Sequence, residues 1–161
     1  MAFKIAELTL GQGWLGICPM PGGEGDYAAD LAQIANWRPQ LVLTLTSLDE
    51  MRVRGADSLG VDLKAQAIAW AHLTVADFGI PLGNVQAAWP RVSLQAHVIL
   101  SNGGKVLAHC MGGCGRSGTA LLRLMVESGE DPIPALTRLR AARPCAVETP
   151  AQFAWASVLI P

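Results

Sequence analysis

Short apolar runs alternate along this chain with longer stretches of mixed apolar and polar positions, the spacing of strands interleaved with helices. Lys4 to Thr9 and Trp14 to Cys18 read as two short strands around a turn at Gly11 to Gly13, and Pro19 to Gly25 (PMPGGEG) is a loop. Asp26 to Trp37 follows as a helix ended by Pro39, because the residue before a proline is driven out of helical geometry. Leu41 to Thr46 (LVLTLT) predicts a buried strand.

Ser47, Leu48, Asp49 and Glu50 form a capping-box pattern, in which the Ser47 hydroxyl and the Glu50 carboxylate satisfy free amides at a helix start. That gives Glu50 a structural reading. Ala69 to Val75 predicts a further strand, Val85 to Asn102 a helix stopped by Gly103 and Gly104, and Val106 to His109 a strand. From Thr119 to Val126 apolar residues take nearly every face apart from Arg123, which predicts a helix buried in the interior and closed by Gly129. Pro134 to Ala142 and Pro150 to Ile160 read as two more helices. The order is β-rich first and helical afterwards, an α/β sandwich.

Composition narrows the picture. A chain of 161 residues, 51% hydrophobic and 16% charged, without repeat or linker, suits a single domain over residues 1–161. Its formal net charge of −1, with no basic run, offers no footprint for nucleic acid or an anionic membrane surface, so any bound anion must be held locally. The tryptophans are scattered without basic interleaving, and no apolar run is long enough to span a bilayer. Lys4 and Glu7 interrupt the N-terminal apolar residues, which reads as mature protein rather than a leader. With no secretory signal, Cys18, Cys110, Cys114 and Cys145 fit a reducing, cytoplasmic setting better than a disulfide framework.

Candidate chemistry concentrates in VLAHCMGGCGRSGTALL, Val106 to Leu122, which joins a strand to a helix through a loop containing Gly112, Gly113 and Gly115. Backbone amides that converge at a helix N-terminus form an anion nest, with the helix dipole pointing into the same small volume. Arg116 adds parallel donors matched to phosphate oxygens. A cysteine at the mouth of such a nest is expected to ionise near neutral pH, and Cys110 stands there. Its thiolate would divide displacement at phosphorus into two steps through a phosphocysteine.

His109, Cys110, five residues, Arg116 and Ser117 match the HCxxxxxR[S/T] signature, and on these residues the chain resembles the protein tyrosine and dual-specificity phosphatases. The resemblance implies Cys110 as nucleophile, Arg116 as the phosphate grip and Ser117 as a hydroxyl stabilising the leaving thiolate. It implies a loop-ordering role for His109, and a phosphate cradle built from Met111, Gly112, Gly113, Cys114, Gly115 and Arg116. His72 to Pro81 (HLTVADFGIP) is similar to the general-acid loop of the atypical dual-specificity group, with Asp77 as the acid that protonates the leaving group and then activates water. GICPMPG, near the start, and RPCAVETPAQ, Arg143 to Gln152, are similar to the kinase-associated phosphatase branch and its small relatives. In that branch a glutamine placed like Gln152 orients the hydrolytic water, while Thr149 to Gln152 also satisfies a second capping box.

The implied fold is a central, mainly parallel twisted sheet flanked by helices, with Cys110 at the C-terminal end of a central strand. The implied activity is hydrolysis of phosphotyrosine, with phosphoserine or phosphothreonine, in a phosphoprotein or phosphopeptide, without metal or cofactor, by a monomer by default. Met111 to Gly115 contain no lysine, which weakens a lipid reading. Phosphoinositides, inositol phosphates or nucleotides are the alternative substrates, and a catalytically silent phosphate-binding module or a rhodanese-like sulfur transferase the alternative classes.

Other residues carry paired readings. Asp77 also suits a turn, where its carboxylate bonds a nearby amide, and Asp57 and Asp62 are substitute acids. His72 either shapes the acid loop or is a satisfied structural histidine, and His97 reads as structural. Cys114 either forms a protective disulfide with Cys110 or is a small residue behind the loop. Arg138, Arg140 and Arg143 suit the end of a helix dipole, with recognition of an acidic substrate as the alternative for Arg143.

Overall fold

The structure, a computed structural model, describes residues 2–158. Strands β1 (Ala6–Leu10), β2 (Gly13–Cys18), β3 (Leu41–Thr44), β4 (Ala69–His72) and β5 (Lys105–His109) form one sheet in the order β1-β2-β5-β3-β4. Only the β1–β2 pair is antiparallel; β2, β5, β3 and β4 run parallel. The connections carry α1 (Tyr27–Trp37), α2 (Leu48–Val53), α3 (Leu59–Ala65) and α4 (Gly83–Ser101), and α5 (Gly115–Glu127), α6 (Pro132–Ala142) and α7 (Pro150–Ala156) follow β5.

Both faces of the sheet are covered, and side chains alternate between them with the strand period of two. Leu15, Ile17, Leu41, Leu43, Val106 and Ala108 enter the core shared with α4 to α7. Cys18, Val42 and Leu107 enter the core shared with α1 to α3. This double burial is why LVLT and KVLAH read as unbroken apolar runs. Helix α5 is buried from Gly115 to Val126. Large apolar side chains such as Leu121, Leu124 and Met125, fully enclosed, each contribute about 1.5–3 kcal/mol. Arg123 is buried too, donating to Glu127 and to the Trp155 carbonyl and lying over the Trp155 ring.

Element boundaries differ from the sequence reading where pairing or capping ends. The β3 strand stops at Thr44, where the regular register ends: Leu45 N–H still donates to the His109 carbonyl, but Val75 N–H donates to the Leu45 carbonyl, one position off the Thr44–His72 register. The strand predicted to run to Val75 ends at His72 for the same reason. Helix α5 begins at Gly115, well before Thr119. Helix α3 was not legible, since it is short, its Ser58 N-cap makes no capping side-chain bond, and it carries a glycine, Gly60, in its first turn. Helix α7 ends at Ala156, and the predicted extension to Ile160 runs beyond the described residues.

Register places Cys18 opposite His109, His109 opposite Thr44, and Thr44 opposite His72, one row across the C-terminal ends of four strands. Cys110 follows at the rim of that row. No helix among the described residues is long and apolar enough to cross a membrane.

Candidate active site

The β5–α5 loop presents amides inward because its carbonyls are held outward, one after another. His109 Nδ1 lies 3.2 Å from the Cys110 carbonyl, Met20 N–H donates to Met111 at 3.0 Å, and Arg143 donates through Nη2 to Gly112 at 2.8 Å and through Nε to Gly113 at 2.9 Å. The Cys114 carbonyl accepts from Gly118 and Val147. No peptide bond among the described residues is cis, so each N–H of the loop points opposite to the carbonyl of its own peptide plane. The amides of Met111, Gly112, Gly113, Cys114 and Gly115 are thereby turned away from these anchors, toward the concave side of the loop beside Cys110. At Gly113, φ is +70° and an added Cβ would fall 2.5 Å from the Cys18 backbone, so only glycine permits this approach.

Cys110 is 3% exposed, and its Sγ lies 3.2 Å from Ser117 Oγ at the start of α5. Arg116 is buried and oriented: Nη1 and Nη2 bond Glu50 in a two-pronged pair, each at 3.0 Å, and Nη1 also donates to the Val75 carbonyl at 2.9 Å. Those bonds occupy three of five guanidinium N–H groups, leaving Nε and one Nη2 hydrogen for an anion. Burial pulls the Glu50 carboxyl up, but the Arg116 and Ser47 hydrogen bonds outweigh it and hold the carboxyl below its usual range. Burial likewise opposes the Arg116 charge, and Glu50 with Cys110 raises it above the ordinary arginine value. The predicted capping box at Glu50 is present. The structure adds what sequence did not supply, that the same carboxylate aims Arg116.

Asp77 lies on the exposed loop after β4, with Oδ1 3.6 Å from Arg116 Nη2 and its side chain 64% exposed. Oδ1 also accepts from Phe78 N–H at 3.0 Å, as the turn reading expects, and Phe78 sits at φ +60°. The acid candidate is thus beside the arginine that borders Cys110. Asp62 is engaged elsewhere, with the Tyr27 hydroxyl and Ser58. His72 is a satisfied histidine, Nε2 2.7 Å from the Thr46 carbonyl, and His97 bonds Glu127 far from the loop.

Gln152 is fully buried and fulfils the capping box with Thr149; its Oε1 accepts from Glu148 and Thr149, and its Nε2 donates to the Gly79 carbonyl of the acid loop. The capping reading accounts for Oε1, and the bond from Nε2 ties α7 to the acid loop.

The cysteine and arginine readings need correction. Cys114 is bonded to Cys145, not to Cys110, so one disulfide exists and fastens the outside of the loop to the segment after α6. Cys18 and Cys110 remain free. Burial, followed by proximity to Cys110, pushes the Cys18 thiol upward, which keeps it protonated. Arg143 neither serves the α6 dipole nor faces substrate, but grips the loop from behind. Arg140 donates to the carbonyls of Ala146 and Val147, and Arg138 pairs with Glu130 and donates to Thr9.

His109 is fully buried, and burial pushes its imidazole down to about 4, against the opposing bond to the Cys110 carbonyl. The unfolded chain titrates near the ordinary value of about 6.5, so between pH 6.5 and 4 it takes up a proton that the folded chain refuses. Stability is therefore full above that window, falls by about 3 kcal/mol as pH drops through it, and levels off below. Urea midpoints measured from pH 7 to 4 should show this loss, and His109→Gln should flatten it. An unchanged slope in the variant would assign the effect to other groups.

Similarity to known proteins agrees with this geometry. The family described as "Polymorphic toxin system, DSP-PTPase phosphatase" (Tc-R-P) matches residues 20–130. No curated protein matches the sequence. Among solved structures, kinase-associated phosphatase with serine in place of its catalytic cysteine is 22% identical over 97% of this chain and 93% of that one, with a TM-score of 0.84. Tk-PTP in its active form is 27% identical over 88% and 87%, with a TM-score of 0.64. PTPMT1 in complex with PI(5)P is 17% identical over 94% and 92%, with a TM-score of 0.72. With its sheet, its cysteine loop and its buried arginine thus placed, the chain belongs to the DSP-PTPase phosphatase family of polymorphic toxin systems.

Proposed function

We propose that residues 1–161 act as a single phosphatase domain that hydrolyses phosphotyrosine, with phosphoserine or phosphothreonine, in a protein or peptide through a phosphocysteine on Cys110. The observation that carries this reading is the run of outward-pinned carbonyls from Cys110 to Cys114, which turns five amides toward the volume between Cys110 and Arg116. Such fixed donors stabilise equatorial oxygens as charge develops, without reorganising during the reaction. Cys110 Sγ attacks phosphorus and the ester oxygen leaves with a proton from Asp77. Water, deprotonated by Asp77, then attacks the phosphocysteine and returns Cys110 as thiolate, with Ser117 donating to it.

A peptide substrate is favoured because the loop from Met111 to Gly115 carries no cation for a multiply charged headgroup. On the Met111 and Cys114 side of the loop opens a cavity of about 240 Å³ whose wall combines Phe3, Met20 and Met111 with Glu24, Asp30 and Arg54. PTPMT1 has been solved with PI(5)P, and so phosphoinositides belong in the comparison.

Hydrolysis of p-nitrophenyl phosphate, phosphopeptides and phosphoinositides without metal tests the proposal, with Cys110 kept reduced. Folded protein that turns over none of them would favour a phosphate-binding module. Action in the cytoplasm requires that the Cys114–Cys145 bridge form there or be dispensable, and assays with and without a thiol reductant decide which. Asp77→Asn should lower kcat about 100-fold on an alkyl phosphate, whose leaving group needs a proton, and much less on p-nitrophenyl phosphate. Equal losses on both would remove Asp77 from the acid role.

A further inference from the structure

The Pro19 to Gly25 loop is braced against the cysteine loop. Met20 N–H donates to the Met111 carbonyl at 3.0 Å, Gly23 N–H to the Met20 carbonyl at 3.0 Å, and Gly22 N–H to Asp30 Oδ2 at 2.8 Å. Gly22 sits at φ +80°, where an added Cβ would fall 3.0 Å from the Arg54 carbonyl and from Tyr27 Cβ, so the turn over this carboxylate admits only glycine. Residues of both loops wall the cavity of about 240 Å³, in which Phe3, Met20 and Met111 stand with Glu24, Asp30 and Arg54. Small-molecule sites run to about 300–1,000 Å³, so this volume suits a single side chain.

Asp30 is 7% exposed, yet only one of its carboxylate oxygens is matched. Nothing among the described residues donates to Oδ1. That oxygen is not sealed off from solvent, and the cavity is the opening that Asp30 lines. A carboxylate largely withdrawn from water gains most from a donor that is itself charged. Arg54 is the cation already at the wall, but its Nη1 turns to the Gly23 carbonyl at 3.4 Å and no ion pair joins it to Asp30. With Glu24, the wall holds two carboxylates to one guanidinium. An apolar wall with surplus negative charge matches a side chain whose methylene stem lies on carbon while its charged head meets oxygen, as in arginine and lysine.

We propose that this cavity is a specificity subsite, in which Asp30 receives an arginine or lysine side chain flanking the phosphoresidue of the substrate peptide. Met111 and Gly112 line the cavity and also belong to the phosphate cradle, so the two sites share a wall. An added Cβ at Gly112 would meet nothing within 4 Å, which leaves the rim between them open to a crossing peptide. Asp30 makes and breaks no bond in the reaction; it selects which peptides are held. The subsite rests on the reading of the cysteine loop as a site for phosphopeptides.

The test uses phosphotyrosine peptides with arginine, alanine or glutamate at each flanking position in turn, by kcat/KM on wild type and by calorimetry on Cys110→Ser. Arginine at one position should raise kcat/KM and affinity at least about tenfold over alanine, the effect of one charge-assisted hydrogen bond, with glutamate below alanine. Asp30→Asn keeps an acceptor for the Gly22 amide and removes the charge. It should erase most of the arginine preference and leave hydrolysis of p-nitrophenyl phosphate unchanged. Arg54→Gln, a change at an exposed position, should widen the preference by removing the competing cation. Should Asp30→Asn also lose p-nitrophenyl phosphate hydrolysis, Arg54→Gln decides, and an unwidened preference counts against the subsite. Peptide turnover with no arginine preference, a preference that survives in active Asp30→Asn, or hydrolysis of p-nitrophenyl phosphate with no peptide bound would overturn the subsite and leave the enzymatic reading standing. An arginine preference in Cys110→Ser binding, with no turnover by wild type, would support the subsite and reject only the enzymatic reading.

Discussion

Cys110→Ser is expected to abolish hydrolysis of p-nitrophenyl phosphate while leaving the fold and phosphate binding in place. The change replaces one atom at a 3% exposed position, so core packing is barely altered. The serine hydroxyl stays protonated at neutral pH, and no neighbouring base is placed to take its proton: Ser117 offers a hydroxyl, and His109 Nε2 faces Thr44 rather than the sulfur. Loss of an enzyme's nucleophile lowers kcat by about 10⁵-fold or more. The inward amides and Arg116 do not depend on the sulfur, so inorganic phosphate should bind the variant by calorimetry. Rapid acid quenching of wild type should trap phosphate on Cys110. A variant with wild-type turnover would remove Cys110 from the chemistry, whatever the loop binds.

Arg116→Lys is the second large effect, expected to lower kcat/KM by about 10³-fold, the loss typical of a transition-state donor. The charge is conserved but the fork is not. A lysine ammonium has three donors on one nitrogen and cannot grip both Glu50 oxygens, bond Val75 and still present parallel donors to phosphate. Glu50→Gln should give a smaller loss in the same direction, since the amide can accept only one of the two bonds that orient the guanidinium. Made together, the two changes should lose less than the product of the single losses, because both act on one geometry. Full activity in Arg116→Lys would show that phosphate is held by the amides alone.

Much of the site could be read in the chain because its essential parts are local. Cys110, the glycines, Arg116 and Ser117 lie on one strand–loop–helix connection, where composition dictates backbone geometry directly. The two capping boxes were legible for the same reason, as each joins residues three apart. Glu50 illustrates the limit. Its cap could be read locally, but its pairing with Arg116 spans 66 positions and exists only because α2 and α5 begin at the same edge of the sheet. Arg143 resembled a helix-end cation until α6 brought it behind Gly112 and Gly113. Neither reading of Cys114, a partner for Cys110 or a small residue behind the loop, named Cys145, which lies 31 positions away and reaches the outer side of the loop only in the fold.

By itself, the sequence determined the alternation of strands and helices, the double-sided burial of the central strands, the cysteine loop with its arginine, and the acid candidate on a separate turn. These follow from periodicity, glycine placement and residue chemistry, all expressed within a few neighbouring positions. The tertiary structure decided which way each loop carbonyl faces, which carboxylate aims Arg116, which cysteines pair and which groups His109 stands between. The physical reason is that these depend on parallel strand register: Cys18, His109, Thr44 and His72 stand in one row only after crossovers align four distant segments.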